Sequence, residues 1–405
     1  MRGVDAGAVE PANRWVTPLA VLTAIVAVDS FSYALVLPVL PFAVRQMGGG
    51  AVTVAVVFAA FSVCQIAAAP LLGRASDRWG RRPVLLLSQT GTLVGFVVLF
   101  LAHSPGAVLV ARVIDGVSAG NLAVVYAAVC DRYSPDQRTG RFATVNTGAG
   151  IGILLGLGLC ALLVSRGFAL LAVFGVAASL LTIVGGLLVR LAPPSGETRT
   201  IRWRSLLEAP RPLRRSAAAT ALVQVLIGAF AVTLPTLLHA TIGASVRTGI
   251  AVAGLAMLAG IGLQASVGVW MARRAGDRVA TACALVGVEA GIVLLWAADV
   301  HPGEAFGLFA SAVGAALVAG GLLSALTAAT SWLSGSAVFG AGLLMGLSQS
   351  LASGGQLAGP VAGFFSLAAG PVVFLLFVGL LGAAALTACR DVTALTASGR
   401  LEASE

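Results

Sequence analysis

The sequence contains no lysine, and all 25 of its basic residues are arginine. A phosphate-binding loop of the form G-x-x-x-x-G-K-[ST] requires a lysine, so ATP hydrolysis by such a loop is excluded. Histidine is also scarce, with 3 residues far apart in the chain, and the 5 cysteines form no C-x-x-C pair. The sequence therefore predicts no metal site, no cofactor and no enzymatic activity.

Charge is scarce as well. Charged residues are 10% of the 405 residues and hydrophobic residues are 58%, with a mean hydropathy of +0.98. So little polar surface cannot cover a water-soluble globule of this length. The 50 glycines let helices approach closely in lipid. We therefore expect an all-α protein that spans a lipid bilayer several times.

About twelve apolar stretches are long enough to cross the hydrocarbon as helices. They lie near residues 16–42, 51–72, 84–102, 106–129, 142–164, 168–189, 216–238, 248–271, 280–298, 304–328, 337–364 and 370–389.

The arginines indicate the orientation of these spans. If the N-terminus is cytoplasmic, Arg45, Arg166 and Arg247 fall on the far side and Arg112 lies within a span, while the other arginines cluster in the tails and cytoplasmic loops. Short cytoplasmic loops collect positive charge, so both termini are predicted to be cytoplasmic in a cell membrane. The net charge of +9 then reflects topology, and we expect no nucleic-acid partner.

The chain divides into two similar parts. A Pro- and Arg-rich stretch without apolar periodicity, residues 192–215, separates a six-span half, residues 1–191, from a second, residues 216–405. The fifth span of each half is unusually rich in glycine. A duplication of this kind is typical of transporters whose halves rock about a central site, and we expect a monomer.

Three sequence segments carry a family resemblance. The stretch GRASDRWGRRP, residues 73–83, resembles the loop signature of the major facilitator superfamily, and LVARVIDGVSAG, residues 109–120, resembles its fourth-span signature. The stretch DSFSYALVLPVLPF, residues 29–42, resembles the first span of the twelve-helix drug/proton antiporters, in particular the tetracycline/proton antiporters. The resemblance covers about residues 16–165 and implies the major facilitator fold.

The stretch at residues 73–83 has two interpretations. As a turn of roughly ten residues between two spans, it uses Gly73 and Gly80 for tight bending and Pro83 in the first turn of the next helix. The resemblance implies that Asp77 lies near a helix N-terminus, and the alternative is that it only balances Arg78 and Arg81 in a solvated cluster. The resemblance implies a conformational latch between the two halves, and the residues assigned to it are Gly73, Asp77, Arg78, Gly80, Arg81 and Arg82.

Four charged residues fall inside predicted spans, where each costs about 2.5–3.5 kcal/mol unless it has a partner or a function. Arg112 and Asp115 are three residues apart and can neutralise each other. The family resemblance implies instead that Arg112 faces the central cavity and perturbs a protonatable carboxylate. Asp29 is the best proton carrier, with a helix-end acid as the alternative. Glu289 serves either proton coupling or an interhelical hydrogen bond.

Uncharged polar side chains within spans are candidates for the substrate path, although about half could be interhelical bonds. They are Gln65, Asn121, Tyr126, Asn146, Gln224, Gln264, Gln349 and Gln356. Phe31 and Tyr33, next to Asp29, either stack on a planar ligand or pack in the core.

One departure from the antiporter pattern concerns the fifth span, where the expected G-P-x-x-G turn has Leu157 in place of proline. The second half retains the turn at residues 359–363. The predicted function is proton-coupled export of a small lipophilic organic compound, as in multidrug efflux and antibiotic resistance. The alternatives are proton-coupled uptake of a metabolite and a membrane receptor that does not transport.

Overall fold

The computed structural model describes residues 18–189, 191, 217–230, 237, 246–300, 304–334 and 341–399. Within these ranges the chain is almost entirely helical and contains no strand. The predicted linker, residues 192–215, and both termini lie outside the described residues, so the division of the chain into two halves stays a prediction.

The described residues of the first part of the chain form eight α-helices and one 3-10 helix, Val164–Arg166. The α-helices are α1 (Pro18–Val36), α2 (Leu40–Gln46), α3 (Ala51–Trp79), α4 (Arg81–Phe100), α5 (Pro105–Ser118), α6 (Asn121–Arg132), α7 (Pro135–Leu163) and α8 (Phe168–Leu188).

The second part contributes six described helices and one π-helical segment, Gln264–Gly268, which follows α10 directly. The helices are α9 (Ala217–Phe230), α10 (Val246–Leu263), α11 (Val269–Val300), α12 (Glu304–Ser334), α13 (Ala341–Ala368) and α14 (Pro371–Gly399).

The all-α membrane architecture is confirmed. Among the described residues, 8 helical stretches are long and apolar enough to cross a membrane, and three shorter apolar stretches lie at residues 217–230, 282–297 and 371–385. Large hydrophobic side chains such as Leu188, Leu380 and Phe365 are exposed, as expected for helices that face lipid rather than water.

The fourth predicted span, residues 106–129, is not one helix. Helix α5 ends at Ser118 and α6 begins at Asn121, and Ala119 between them has φ −75° and ψ 61°. The apolar span itself is confirmed over Pro105–Arg132, and the break at Ala119 and Gly120 is a feature that the sequence did not predict. This break lies between the two parts of the span that carry candidate site residues.

The signature at residues 73–83 is mostly helical and not a loop. Helix α3 continues to Trp79 and α4 begins at Arg81, so only Gly80, with φ 96°, lies between them. The turn prediction holds for Gly80, because that backbone conformation favours glycine. It was wrong for Gly73, which is helical and contacts Gly342 of α13 through its backbone.

Residues 272–279, between the predicted eighth and ninth spans, are also helical, because helical structure is assigned without a gap over residues 246–300. The contacts with α12 nevertheless show a reversal of direction. Residues 260–268 run parallel to residues 319–324 of α12, whereas residues 284–291 run antiparallel to residues 314–321. The chain therefore folds back between residues 268 and 284.

Two sets of contacts hold the early helices against the late ones. Helix α13 packs along α3 and touches α6, while α7 packs against α12 and the π-helical segment. We call the contact between residues 65–77 of α3 and residues 342–353 of α13 the α3–α13 seam. The seam and the break between α5 and α6 together frame the candidate site.

Candidate functional site

Helix α5 places a buried ion pair at the centre of the site. Arg112 Nη1 donates to Asp115 Oδ2 over 2.7 Å, and both side chains are buried. The two residues are one helical turn apart, so the pair forms within a single helix. The Arg112 guanidinium also lies 4.2 Å from the centre of the Phe61 ring of α3, a cation–π contact. The positive charge of Arg112 is thus compensated locally.

Asp29 lies on α1 and contacts the first residue of α6. Asn121 Nδ2 donates to Asp29 Oδ2 over 2.9 Å. This geometry follows from the break at Ala119 and Gly120, which puts Asn121 at a helix start where its amide can reach across to α1. Among the described residues, Asp29 forms no salt bridge.

Two aromatic rings line this region. Tyr33, one turn beyond Asp29, has its ring centre 5.7 Å from that of Phe61, at an interplanar angle of 39°. Phe61 therefore contacts both the tyrosine ring and the Arg112 guanidinium. Phe31 is partly buried against the apolar cluster that includes Leu35 and Leu40, so its surroundings are those of a packing residue.

A second polar group connects the early and late helices. Tyr126 donates to Asn146 Oδ1, and Asn146 Nδ2 donates to Thr327 Oγ1 of α12 over 3.0 Å. Gln264 Nε2 donates to the same hydroxyl oxygen over 2.6 Å. Two of the predicted polar residues thus bond to Thr327, and Tyr126 joins them through Asn146, on the side of the molecule where α7 meets the π-helical segment.

Gln65 bridges α3 to two other elements. Its Nε2 donates to the Ala119 carbonyl over 3.2 Å, and its Oε1 accepts from Ser353 Oγ of α13 over 2.6 Å. Both Gln65 and Ser353 are buried. Next to them on the seam, Ser350 Oγ donates to the Ile66 carbonyl over 2.7 Å.

The remaining predicted polar residues lie apart from this centre. Gln224 is buried on α9 beside Gly355 of α13. Gln349 is half-buried and Gln356 is exposed, both on α13. Among the described residues they form no hydrogen bond to the groups around Asp29.

Glu289 is also distant from Asp29. It lies on α11 and directs its carboxyl group toward Gly379 and Gly382 of α14. Its Oε1 is buried and has no hydrogen-bond partner in the described part of the chain. The structure therefore gives two separate membrane acids, one facing α6 and one facing α14.

The signature segment contacts the start of α13. Asp77 Oδ1 accepts from the Gly342 N–H over 2.9 Å, and Asp77 Oδ2 accepts from the Leu343 N–H over 3.0 Å. The first N–H groups of a helix lack intrahelical partners and carry partial positive charge, so a carboxylate is the group they favour. This geometry matches the helix N-terminus alternative for Asp77 and not the solvated cluster.

Arg81 holds Asp77 in place. Its Nη1 donates to Asp77 over 2.6 Å and to Ser76 Oγ over 2.8 Å, while its Nε donates to Asp131 of α6 over 2.7 Å. Arg82 donates to the carbonyls at the end of α8, and Arg78 is exposed. The signature thus joins α3, α4, α6 and α13 at one face of the molecule.

Sequence reasoning missed several members of these groups. Asp131 lies beside Arg132 in what appeared to be an ordinary charged loop, and only its pairing with Arg81 distinguishes it. Ser353 and Thr327 are small hydroxyl residues of a kind that is common in membrane helices. Phe61 carries no sequence signal apart from its aromatic ring in an apolar span. For these residues the chain alone offers no distinguishing pattern.

Comparison with known proteins gives both sequence and structural matches. The sequence model described as the Major Facilitator Superfamily matches residues 22–360. The class D tetracycline resistance protein of Salmonella ordonez is 32% identical over 142 residues, which are 34% of this chain and 36% of that protein. The match thus spans about a third of the length of this curated relative.

Two solved structures are similar over nearly the whole chain. The human organic anion transporter MFSD10 (TETRAN) gives a TM-score of 0.73 at 22% identity and covers 92% of this chain and 98% of that one. A bacterial homologue of the iron transporter ferroportin in an outward-facing state gives 0.74 at 15% identity, with coverage of 94% and 100%. At these identities the likeness shows the fold alone.

Proposed function

The chain belongs to the major facilitator superfamily, and we propose that it exports a small lipophilic organic compound in exchange for protons. Membership makes it a multi-pass membrane transporter for small molecules and not an enzyme. The resemblance to the tetracycline resistance proteins, noted in the first spans, is borne out by the curated relatives. The export direction, the proton coupling and the substrate class are the proposed part.

The observation that carries the proposal is the unequal pairing of the two central acids. Asp115 has a guanidinium partner at 2.7 Å, whereas Asp29 has the neutral amide of Asn121 at 2.9 Å. A carboxylate within the membrane that lacks a cationic partner is costly unless it takes up a proton. Asp29 is therefore the proposed proton carrier, and the pair of Arg112 with Asp115 sets the charge around it.

Glu289 is the second proposed proton-coupling residue. Its carboxyl group lies beside two glycines of α14 and forms no salt bridge among the described residues. An acid in such a place is favoured when neutral, for the same reason as Asp29. Since it faces a different helix, it would act on the second half of the molecule rather than at the first site.

The proposed substrate path lies between the two polar groups. Near Asp29, Tyr33 and Phe61 offer flat surfaces to a planar compound. The polar residues predicted for this path extend across the molecule toward Thr327, and amide and hydroxyl groups there can exchange a mutual hydrogen bond for one to a ligand. Phe31 and the exposed Gln356 are the weakest members of the predicted set.

The contact of Asp77 with α13 is the proposed latch. It fastens α3 to α13 at the face where the signature lies, and alternating access requires that this face open. If that face is cytoplasmic, as the arginine distribution predicts, the structure corresponds to an outward-facing state. The two halves, the linker at residues 192–215 and the cytoplasmic termini remain parts of this proposal.

The test is flux in proteoliposomes under an imposed pH gradient, with tetracycline and a few planar lipophilic drugs. We expect the wild-type protein to move drug against its gradient when protons flow the other way, and Asp29→Asn to retain drug counterflow without proton-driven accumulation. Asp136→Asn, an acid-to-amide change at the start of α7 outside the apolar spans, is the matched control and should behave as wild type.

Other outcomes would contradict the proposal in distinct ways. Counterflow that ignores pH would disprove proton coupling and leave Asp29 a structural or ligand-binding acid. Accumulation of solute in the direction of proton flow would indicate uptake. Saturable binding without counterflow would indicate a receptor.

A further inference from the structure

A short hydrogen-bonded relay joins Asp29 to the α3–α13 seam. Asn121, at the start of α6, donates to Asp29 over 2.9 Å. Two residues earlier, the Ala119 carbonyl accepts from Gln65 Nε2 over 3.2 Å, and Gln65 Oε1 accepts from Ser353 over 2.6 Å. The relay thus runs from α1 through the break between α5 and α6 to α13.

The break between α5 and α6 is what links Gln65 to the position of α6. At Ala119 the backbone leaves helical geometry, so its carbonyl loses its helical partner, and the Gln65 amide replaces it. A buried amide that donates at one end and accepts at the other is held in a single orientation. A small rotation of the first turn of α6 would therefore move Gln65 and weaken its bond with Ser353.

We propose that Gln65 is a positioning residue that couples the charge state of Asp29 to the opening of the α3–α13 seam. This inference rests on the proposed role of Asp29 as the proton carrier. With Asp29 ionised, its carboxylate holds Asn121, the first turn of α6 is fixed, and Gln65 retains Ser353. When Asp29 takes up a proton, the hydrogen bond from Asn121 weakens, the first turn of α6 can move, and the seam loses the hydrogen bond between Gln65 and Ser353.

Few other charged groups surround Asp29. Helix α5 provides Arg112 and Asp115, which neutralise each other. Helix α7 presents glycines to the adjoining turns of α1, and α8 contributes Gly185 beside Ile25. Among the described residues, the amide of Asn121 is the polar contact through which a change at Asp29 can reach the seam.

The test is a distance measurement between α3 and α11 at the signature face. Arg74→Cys and Arg273→Cys, at two exposed positions, are introduced into a variant without its native cysteines and are spin-labelled. Pulsed electron paramagnetic resonance then gives the distance distribution between the two labels, and from it the ratio of closed to open molecules. Asp29→Asn serves as the uncharged form of Asp29. Gln65→Met removes both relay bonds while approximately conserving volume.

We expect Asp29→Asn to lower the closed-to-open ratio about fivefold, the effect of one buried hydrogen bond. In the Gln65→Met background the same change should have no effect, because the relay is already broken. The matched control is Ser350→Ala, which removes a different seam hydrogen bond, from Ser350 Oγ to the Ile66 carbonyl, and leaves both bonds of the Gln65 side chain in place. In that background the fivefold effect should persist.

The inference is overturned if Asp29→Asn shifts the ratio equally with and without Gln65, or if Ser350→Ala abolishes the effect as well. Ser353→Ala is the second test variant, should Gln65→Met fold poorly, and it should act as Gln65→Met does. Because no drug or proton gradient enters this measurement, failure of the relay can be distinguished from failure of proton-coupled export.

Discussion

Replacing Asp77 with asparagine should release the face of the molecule where α3 meets the start of α13. Each carboxylate oxygen of the aspartate accepts one backbone hydrogen bond, from Gly342 at 2.9 Å and from Leu343 at 3.0 Å, and Oδ1 also accepts from Arg81 at 2.6 Å. Asparagine has one acceptor oxygen, and its NH2 group would face an N–H donor. One of the two bonds must therefore be lost, and the other loses its charge.

The size of the effect follows from these contacts. A hydrogen bond to a charged group contributes about 1.5–3 kcal/mol, and the interaction with a helix N-terminus adds about 0.3–1 kcal/mol. The loss of the charged bond alone should change the closed-to-open ratio by a factor of roughly 10 to 150. Arg81 keeps Asp131 at 2.7 Å, so the contact between α4 and α6 should survive the substitution.

Pulsed electron paramagnetic resonance between spin labels on α3 and α11 measures the closed-to-open ratio directly. Asp136→Asn serves as the control because it makes the same chemical change at the start of α7, outside the residues that form the α3–α13 seam. We expect the wild-type protein and the control to be mainly closed at the signature face, and Asp77→Asn to be mainly open. A distance distribution for Asp77→Asn that matches wild type would refute the latch, since the two backbone bonds would then contribute nothing to closure.

Two further substitutions test neighbouring contacts. Gly346→Ala would bring a methyl group against the Ala69 backbone and should shift the distance distribution toward the open state. Gly354→Ala is the control, because no atom lies within 4 Å of the added methyl group, and it should leave the distribution unchanged. Identical distributions for the two variants would contradict the close contact between Gly346 and Ala69. Thr327→Val leaves the amides of Asn146 and Gln264 without their shared hydroxyl and should lower the free energy of unfolding by about 1–3 kcal/mol. Thermal unfolding in detergent measures this change. A variant as stable as wild type would show that the Thr327 hydroxyl does not stabilise the contact between α7 and α12.

Much of the architecture followed from composition and periodicity. The bilayer environment, the helical class and the family were all predicted, because each depends on patterns that extend over many residues. The pairing of Arg112 with Asp115 was also predictable, since both lie on one turn of one helix. The differences were local: the break at Ala119 was not predicted, and the turn predicted at Gly73 is helical.

Contacts between distant helices could not be predicted. Ser353 and Thr327 are ordinary helix residues, and only the packing of α13 against α3 and of α12 against α7 gives them partners. The same holds for Asp131, whose salt bridge with Arg81 depends on how α4 and α6 meet. A single sequence predicts where the spans lie, but it does not predict how each helix is rotated about its axis and so which residues face each other.

The contact of Gly73 with Gly342 has a consequence for the entropy of closure. Neither residue has a side chain, so the two backbones meet without freezing any rotamer. Larger residues at this crossing would have to be ordered each time the face closed and released each time it opened. A transporter that repeats this step in every cycle can therefore close here at little conformational cost, and the hydrogen bonds of Asp77 then decide how long the closed state lasts.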